Sequence, residues 1–196
     1  MQALKKYSGD IVKDVLKLRN LDNNIIFPTD IDYVTQGSNH LLDFMAWNKE
    51  FVVFLDCDTD GLSAAAICNL YFSQEWCNNV VRYKMASRNQ RGFQEEDVNE
   101  IHELYPTATG ILTVDCGITS VNAVERAKHF GIDVLITDHH NPAVELPDTF
   151  IINPKLDNEY FGFKDFCGAG LIYLILRDNF GDTPGALQYA AIATIA

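Results

Sequence analysis

Asp138-His139-His140 joins two imidazoles and a carboxylate in consecutive residues, directly after the apolar run Val134-Leu135-Ile136-Thr137. Imidazole is a common transition-metal ligand, and a carboxylate behind it can fix its orientation. Consecutive side chains diverge in an extended segment, so the two histidines need different jobs. His139 is assigned to metal and His140 to a substrate phosphate or leaving group, with Asp138 as support. A single histidine there would more often be a packing residue; two in a row, facing several carboxylates, weaken that reading.

The facing carboxylates stand earlier in the chain. Asp56-Cys57-Asp58-Thr59-Asp60-Gly61 sets three acids on alternate residues of one turn. Anions this close repel unless protons or cations intervene. A calcium-binding EF-hand loop also begins D-x-D-x-D-G, but its twelfth position should be a bidentate Glu and here is Ile67. A solvated acidic turn is the remaining alternative. Asp115 follows the run Ile111-Leu112-Thr113-Val114 and precedes Gly117 and a helix start near Thr119 or Ser120. Alone it could be a structural aspartate bonding loop amides. In this company it reads as a bridging ligand, since two-metal hydrolases hold their ions roughly 3.5–4 Å apart between shared carboxylates. A donor set of oxygen and nitrogen without thiolate suits Mn²⁺, with Mg²⁺ as second choice and zinc less favoured. Such a pair of ions suits in-line attack of water on a phosphodiester, activating the water and stabilising charge on the phosphorus oxygens.

Elements must carry these groups to one place. From Phe51 onward, short apolar runs (FVVFL, VVRYK, ILTV, VLIT, FII) alternate with helix-length stretches (GLSAAAICNLYF, Glu95 to Leu104, VNAVERAKHF, GAGLIYLILRDNF). That alternation predicts β-α-β units and an α/β fold, a doubly wound, mainly parallel sheet flanked by helices. Ligands of such sheets bind at the carboxyl ends of the strands. Asp56, Asp115 and Asp138-His139-His140 each follow a strand, so acids and histidines are expected along one sheet edge. Residues 1–48, with the helix-like IVKDVLKL, read as a lead-in subdomain, and 49–196 as the main domain.

At 196 residues and 47% hydrophobic content, one buried α/β core is affordable. No apolar run reaches the roughly 20 residues of a membrane span, and the first residues lack a signal-peptide core. The five cysteines form no C-x-x-C pair, so a cytoplasmic protein with reduced thiols is expected. A net charge of −12 argues against broad electrostatic attraction to nucleic acid. Two divalent ions would offset four of those charges and make the site attractive to phosphate. Between Arg82 and Gln94 lie Arg82, Lys84, Arg88 and Arg91 with no acid among them. Arg88 and Arg91 are candidates to hold phosphate oxygens in forked contacts; a solvated strand and loop is the alternative.

The triplet Asp138-His139-His140, the D-x-D-x-D-G turn and Val114-Asp115-Cys116-Gly117 resemble three motifs of the DHH phosphoesterase superfamily. Arg88-Asn89-Gln90-Arg91-Gly92-Phe93, Asn153-Pro154 and Cys167-Gly168-Ala169-Gly170 are similar to segments of its RecJ-like single-strand exonucleases. The resemblance implies Asp58, Asp60, Asp115 and His139 as metal ligands, Asp56 as ligand or close support, and His140 as a phosphate contact. It also implies 5′-to-3′ digestion of single-stranded DNA in replication, repair or recombination, by a monomer with replication or repair proteins as further partners. The superfamily leaves two other functions open: a phosphodiesterase for oligoribonucleotides or cyclic dinucleotides, and a non-catalytic replication scaffold. Cys167 to Gly170 reads as helix-entry packing, because it lacks the G-x-G-x-x-G spacing of a dinucleotide loop. The family's fourth motif is an aspartate after a run similar to Ala190 to Ala196, so a domain cut before that ligand, without the C-terminal associated domain and with reduced activity in isolation, is expected.

Overall fold

The computed structural model describes residues 32–87, 92–156 and 165–196. IVKDVLKL, Arg88 and Arg91 lie outside them. In chain order the described elements are α1 (Asp32–Trp47), β1 (Glu50–Leu55), α2 (Thr59–Phe72), β2 (Val80–Met85), α3 (Glu95–Leu104) and β3 (Gly110–Val114). They continue with α4 (Val121–His129), β4 (Asp133–Thr137), β5 (Phe150–Ile152), α5 (Gly168–Phe180) and α6 (Ala186–Ile195). The five strands form one sheet in the order β2-β1-β3-β4-β5, and every pairing is parallel. The chain is thus α/β and doubly wound.

Two cores follow from the alternation of side chains along each strand. Phe51, Val53, Leu55, Leu112, Val114 and Leu135 point to one face, where α1, α2, α5 and α6 pack. Val52, Phe54, Ile111, Val134 and Ile136 point to the other, under α3 and α4. The strands β1, β3 and β4 are therefore apolar on both faces, which is why they read as unbroken apolar runs. Edge strand β2 is half exposed and carries the cations Arg82 and Lys84.

The helix α1 had no clear signature in the sequence. Its buried positions, Val34, Gly37, Ser38, Leu41, Phe44 and Met45, keep helical spacing, but two of them are small and one is polar. Gly37 lets the helix approach so closely that a Cβ there would stand 3.0 Å from the Ile152 side chain. Ser38 is satisfied by donating its hydroxyl to the Ile175 carbonyl at 2.9 Å. The helix comes from the span read as a lead-in, and its buried face joins the same core as β1. No helix among the described residues is long and apolar enough to cross a membrane.

Candidate metal centre

The central strands deliver their carboxyl ends side by side, and the backbone ladder runs one residue past each. The Asp115 amide donates to the Thr137 carbonyl and the Asp138 amide to the Ile152 carbonyl, both at 3.0 Å. Asp56, Asp115 and Asp138 thereby stand at neighbouring strand ends, as the sequence led us to expect.

Asp115 is the unusual member. Its φ of 63° places it in the left-handed region, which aspartate tolerates better than most residues. The turn that follows is held by the Thr113 hydroxyl donating to the Cys116 carbonyl at 2.8 Å, with Gly117 at φ 114°. The Asp115 side chain is 1% exposed, and no described residue offers its oxygens a well-aligned hydrogen bond, the His139 ring being the one donor near Oδ1. Burying an unpartnered carboxylate costs several kcal/mol in a protein interior unless a cation or proton compensates (about 1–3 per lost hydrogen bond, more for a charge). Burial accordingly pushes the Asp115 carboxyl up to about 7, opposed by His139 and reinforced by the charges of Asp60 and Asp58.

His139 supplies the nearest positive partner. Its Nε2 lies 3.1 Å from Asp115 Oδ1 and 3.5 Å from Asp60 Oδ2. The Asp115 carboxylate raises the His139 ring above its ordinary range, against the effect of burial. One ligand atom from each of Asp115, His139 and His140 lies within 4.8 Å of the others, a spacing that could hold a metal ion. An orphaned buried carboxylate beside imidazole nitrogens is the donor set a divalent cation of the Mn²⁺ type accepts.

Asp138 is almost fully buried and organises the loop. Its Oδ1 accepts from the His139 amide at 2.7 Å, the His140 amide at 3.0 Å and His140 Nδ1 at 2.8 Å, while Oδ2 accepts from the Ile118 amide at 2.8 Å. Burial pushes this carboxyl up, but the ring and amide of His140 and the Ile118 amide outweigh it and hold it below its usual value. In return Asp138 raises the His140 ring to about 9, against the effect of burial. The tie at Nδ1 leaves Nε2 for an external group. Asn153 adds a second anchor by donating to the His140 carbonyl at 2.9 Å. Its role had no signal in the sequence beyond the Asn153-Pro154 pair.

Asp138→Ala is expected to weaken Mn²⁺ binding 10- to 100-fold, as for other groups that orient a ligand from behind, and to destabilise the fold by about 1–3 kcal/mol. A Mn²⁺ titration and a denaturant melt measure both. Unchanged affinity would mean that the loop holds its histidines without Asp138.

The acidic turn is divided among tasks. Asp58 is the N-cap of α2, its Oδ1 accepting from the Asp60 amide at 2.9 Å and the Gly61 amide at 3.0 Å, the usual service of an N-cap aspartate. Asp56 Oδ1 accepts from the Cys57 amide at 2.6 Å. Asp60 turns toward His139, and its oxygens accept from the Gly168 and Ala169 amides at 2.7 Å each. The sequence suggested packing for Cys167 to Gly170 and gave no sign of these two donors. The basic segment is partly spoken for: Arg82 pairs with Glu50 at 3.1 Å, and Lys84 with Glu100 at 2.7 Å and Asp97 at 3.5 Å. Asp56, Asp58, Asp60, Asp115, Asp138, His139 and His140 thus cluster at one sheet edge, while Arg88 and Arg91 fall outside the described residues.

Residues 50–196 match the model of the DHH family, N-terminal domain. The chain is 28% identical over 185 residues to the single-stranded-DNA-specific exonuclease RecJ of Bacillus subtilis, covering 92% of this chain and 23% of that protein. It is 35% identical over 128 residues to the same-named protein of Escherichia coli, covering 64% of this chain and 22% of that one. The chain therefore spans about a quarter of the length of these relatives. A crystal structure of exonuclease RecJ bound to manganese superposes with a TM-score of 0.71 at 28% identity, over 85% of this chain and 43% of that one.

Proposed function

The chain belongs to the DHH family as a RecJ-like N-terminal domain, and on that premise we propose that it is the metal-binding part of a single-strand-specific 5′-to-3′ DNA exonuclease. The observation that carries the reading is Asp115, a buried carboxylate whose oxygens have no donor among the described residues other than the His139 ring. Proteins similar to this chain are named as single-stranded-DNA-specific exonucleases, and a similar solved structure is that of exonuclease RecJ bound to manganese.

In this proposal Asp58, Asp60, Asp115 and His139 would hold two Mn²⁺ ions, with Mg²⁺ as substitute and Asp56 as ligand or close support. When bound, the ions supply Lewis-acid activation of water and stabilise charge developing at phosphorus. The remaining chemistry belongs to the chain. His140, protonated and steered by Asp138, donates from Nε2 to a phosphate oxygen or the leaving group. Asp138 keeps that ring in one orientation, so the proton is offered along one line. Arg88 and Arg91 grip non-bridging oxygens in forked contacts. Residues 1–48 serve as a lead-in and 49–196 as the DHH domain proper, acting in the cytoplasm as a monomer on single-stranded DNA, alongside replication or repair proteins.

The test compares mononucleotide release from 5′- and 3′-labelled single strands with hydrolysis of dinucleotides, using the intact protein and Mn²⁺. Faster release from the 5′ end of long strands is expected. Equal or better dinucleotide turnover would overturn the exonuclease reading in favour of a small-substrate phosphodiesterase. Arg88→Ala is expected to raise KM for single strands about tenfold while leaving Mn²⁺ affinity unchanged, the loss of one charge-assisted contact. A fall in kcat at unchanged KM would remove Arg88 from substrate binding.

A further inference from the structure

We propose that the first turn of α5 positions the carboxylates of the metal centre, acting on two of them at once; the inference rests on the metal-binding reading above. Gly168 N–H donates to Asp60 Oδ2 and Ala169 N–H to Asp60 Oδ1, each at 2.7 Å. Amides of a first helical turn have no acceptor within their own helix, so both donors are free for this task, and the positive end of the helix favours the anion. Held by both oxygens, Asp60 is left one orientation in which to present its remaining lone pairs.

Asp115 is seated against the same turn. A Cβ built on Gly168 would stand 2.5 Å from Asp115 Oδ1 and 2.7 Å from its Cγ. A side chain there fits only if Asp115 or the helix shifts, and Asp115, 1% exposed, has no solvent to swing into. Between the two carboxylates stands His139 Nε2, 3.5 Å from one and 3.1 Å from the other. Where α5 begins therefore sets the spacing of Asp60 and Asp115. The helix can act as a datum because it is itself fixed. Ala169, Leu171, Ile172, Ile175 and Leu176 are fully buried, and Cys167 Sγ accepts from the Gly170 amide at 3.2 Å. Gly168 and Ala169 are thus positioning residues, reaching a ligand through backbone and through the lack of a side chain.

Substitution at Gly168 leaves two ways to relieve the clash: Asp115 is displaced, or α5 retreats and releases Asp60. Both loosen the ligand set. The experiment titrates Mn²⁺ into the metal-free intact protein and follows loss of the free-ion electron paramagnetic resonance signal, with melting in chelator as the check on folding. Gly168→Ala is expected to weaken Mn²⁺ uptake at least about tenfold, as perturbing the support of a ligand does elsewhere. Gly170→Ala perturbs the same turn without reaching a carboxylate, since its Cβ meets Cys167 Sγ at 3.3 Å and Phe166 Cδ1 at 3.8 Å. It is expected to bind Mn²⁺ as the wild type does. Equal uptake by folded Gly168→Ala and Gly170→Ala overturns the proposal. Should Gly168→Ala not fold, Ala169→Pro decides: it deletes one donor to Asp60 at a first-turn position whose N–H makes no bond within the helix, and wild-type uptake by it overturns the proposal. Failure of the wild-type protein to take up Mn²⁺ is a different result, which removes the metal centre itself and the proposal with it.

Discussion

Asp115→Asn is expected to lower metal-dependent cleavage by the intact protein about a thousandfold or more, equivalent to about 4 kcal/mol of lost transition-state stabilisation. The same substitution is expected to leave the metal-free fold as stable as the wild type, or more so. The two halves have one cause. Asp115 is buried, and apart from the His139 ring, whose Nε2 lies 3.1 Å from Oδ1, its oxygens have no donor among the described residues, so without a cation the carboxylate is a burden on the fold. Asparagine keeps the shape and removes the charge. Cleavage assays with Mn²⁺ and thermal melts in chelator measure the two effects. Retained cleavage would mean that the metal centre lies elsewhere, and collapse of the metal-free fold would mean that Asp115 is structural.

Gly61→Ala is expected to destabilise the protein by about 3 kcal/mol and to abolish Mn²⁺ binding below the melting temperature. A Cβ at Gly61 would lie 2.8 Å from both the carbonyl carbon and the nitrogen of Asp56. These are backbone atoms at the end of a strand buried on both faces, so they cannot give way as a flexible side chain could. The start of α2 would have to move, carrying Asp58 and Asp60 out of line with Asp115. Gly131→Ala offers the comparison. Gly131 has a φ of 71° but nothing within 4 Å of a built Cβ, so the cost there is only left-handed strain, about 1 kcal/mol. Denaturant melts of the two variants separate close packing from backbone conformation. Equal losses would show that Asp56 and Gly61 are not in tight contact.

Much of this was legible before any coordinates. Strands buried on both faces announce themselves as apolar runs, and the polar residue after each run marks the working edge of a parallel sheet. Asp56, Asp115 and Asp138 were placed at strand ends in that way, and the fold puts them there. Other features leave no trace in residue types. The donors to Asp60 are backbone amides, and the space beside Asp115 shows only as a glycine. The stripe of α1 was hidden because close approach to Ile152 calls for Gly37 where an apolar side chain would have signalled a helix. Charge counting along Arg82 to Gln94 could not foresee that Glu50, Asp97 and Glu100 come from elsewhere to meet Arg82 and Lys84. Three alternate acids likewise look equivalent in sequence, while the fold makes one of them, Asp58, the cap of α2.

Asp60 and Gly168 meet across 108 residues of chain. Parallel strands pair only through long crossovers, and contacts so distant in sequence form late because loop closure must precede them. During synthesis, Asp60 and Asp115 are made well before the turn that seats them. The spacing of Asp60 and Asp115 is therefore fixed late in folding, when α5 docks against the strand ends, and not when those two strands first pair.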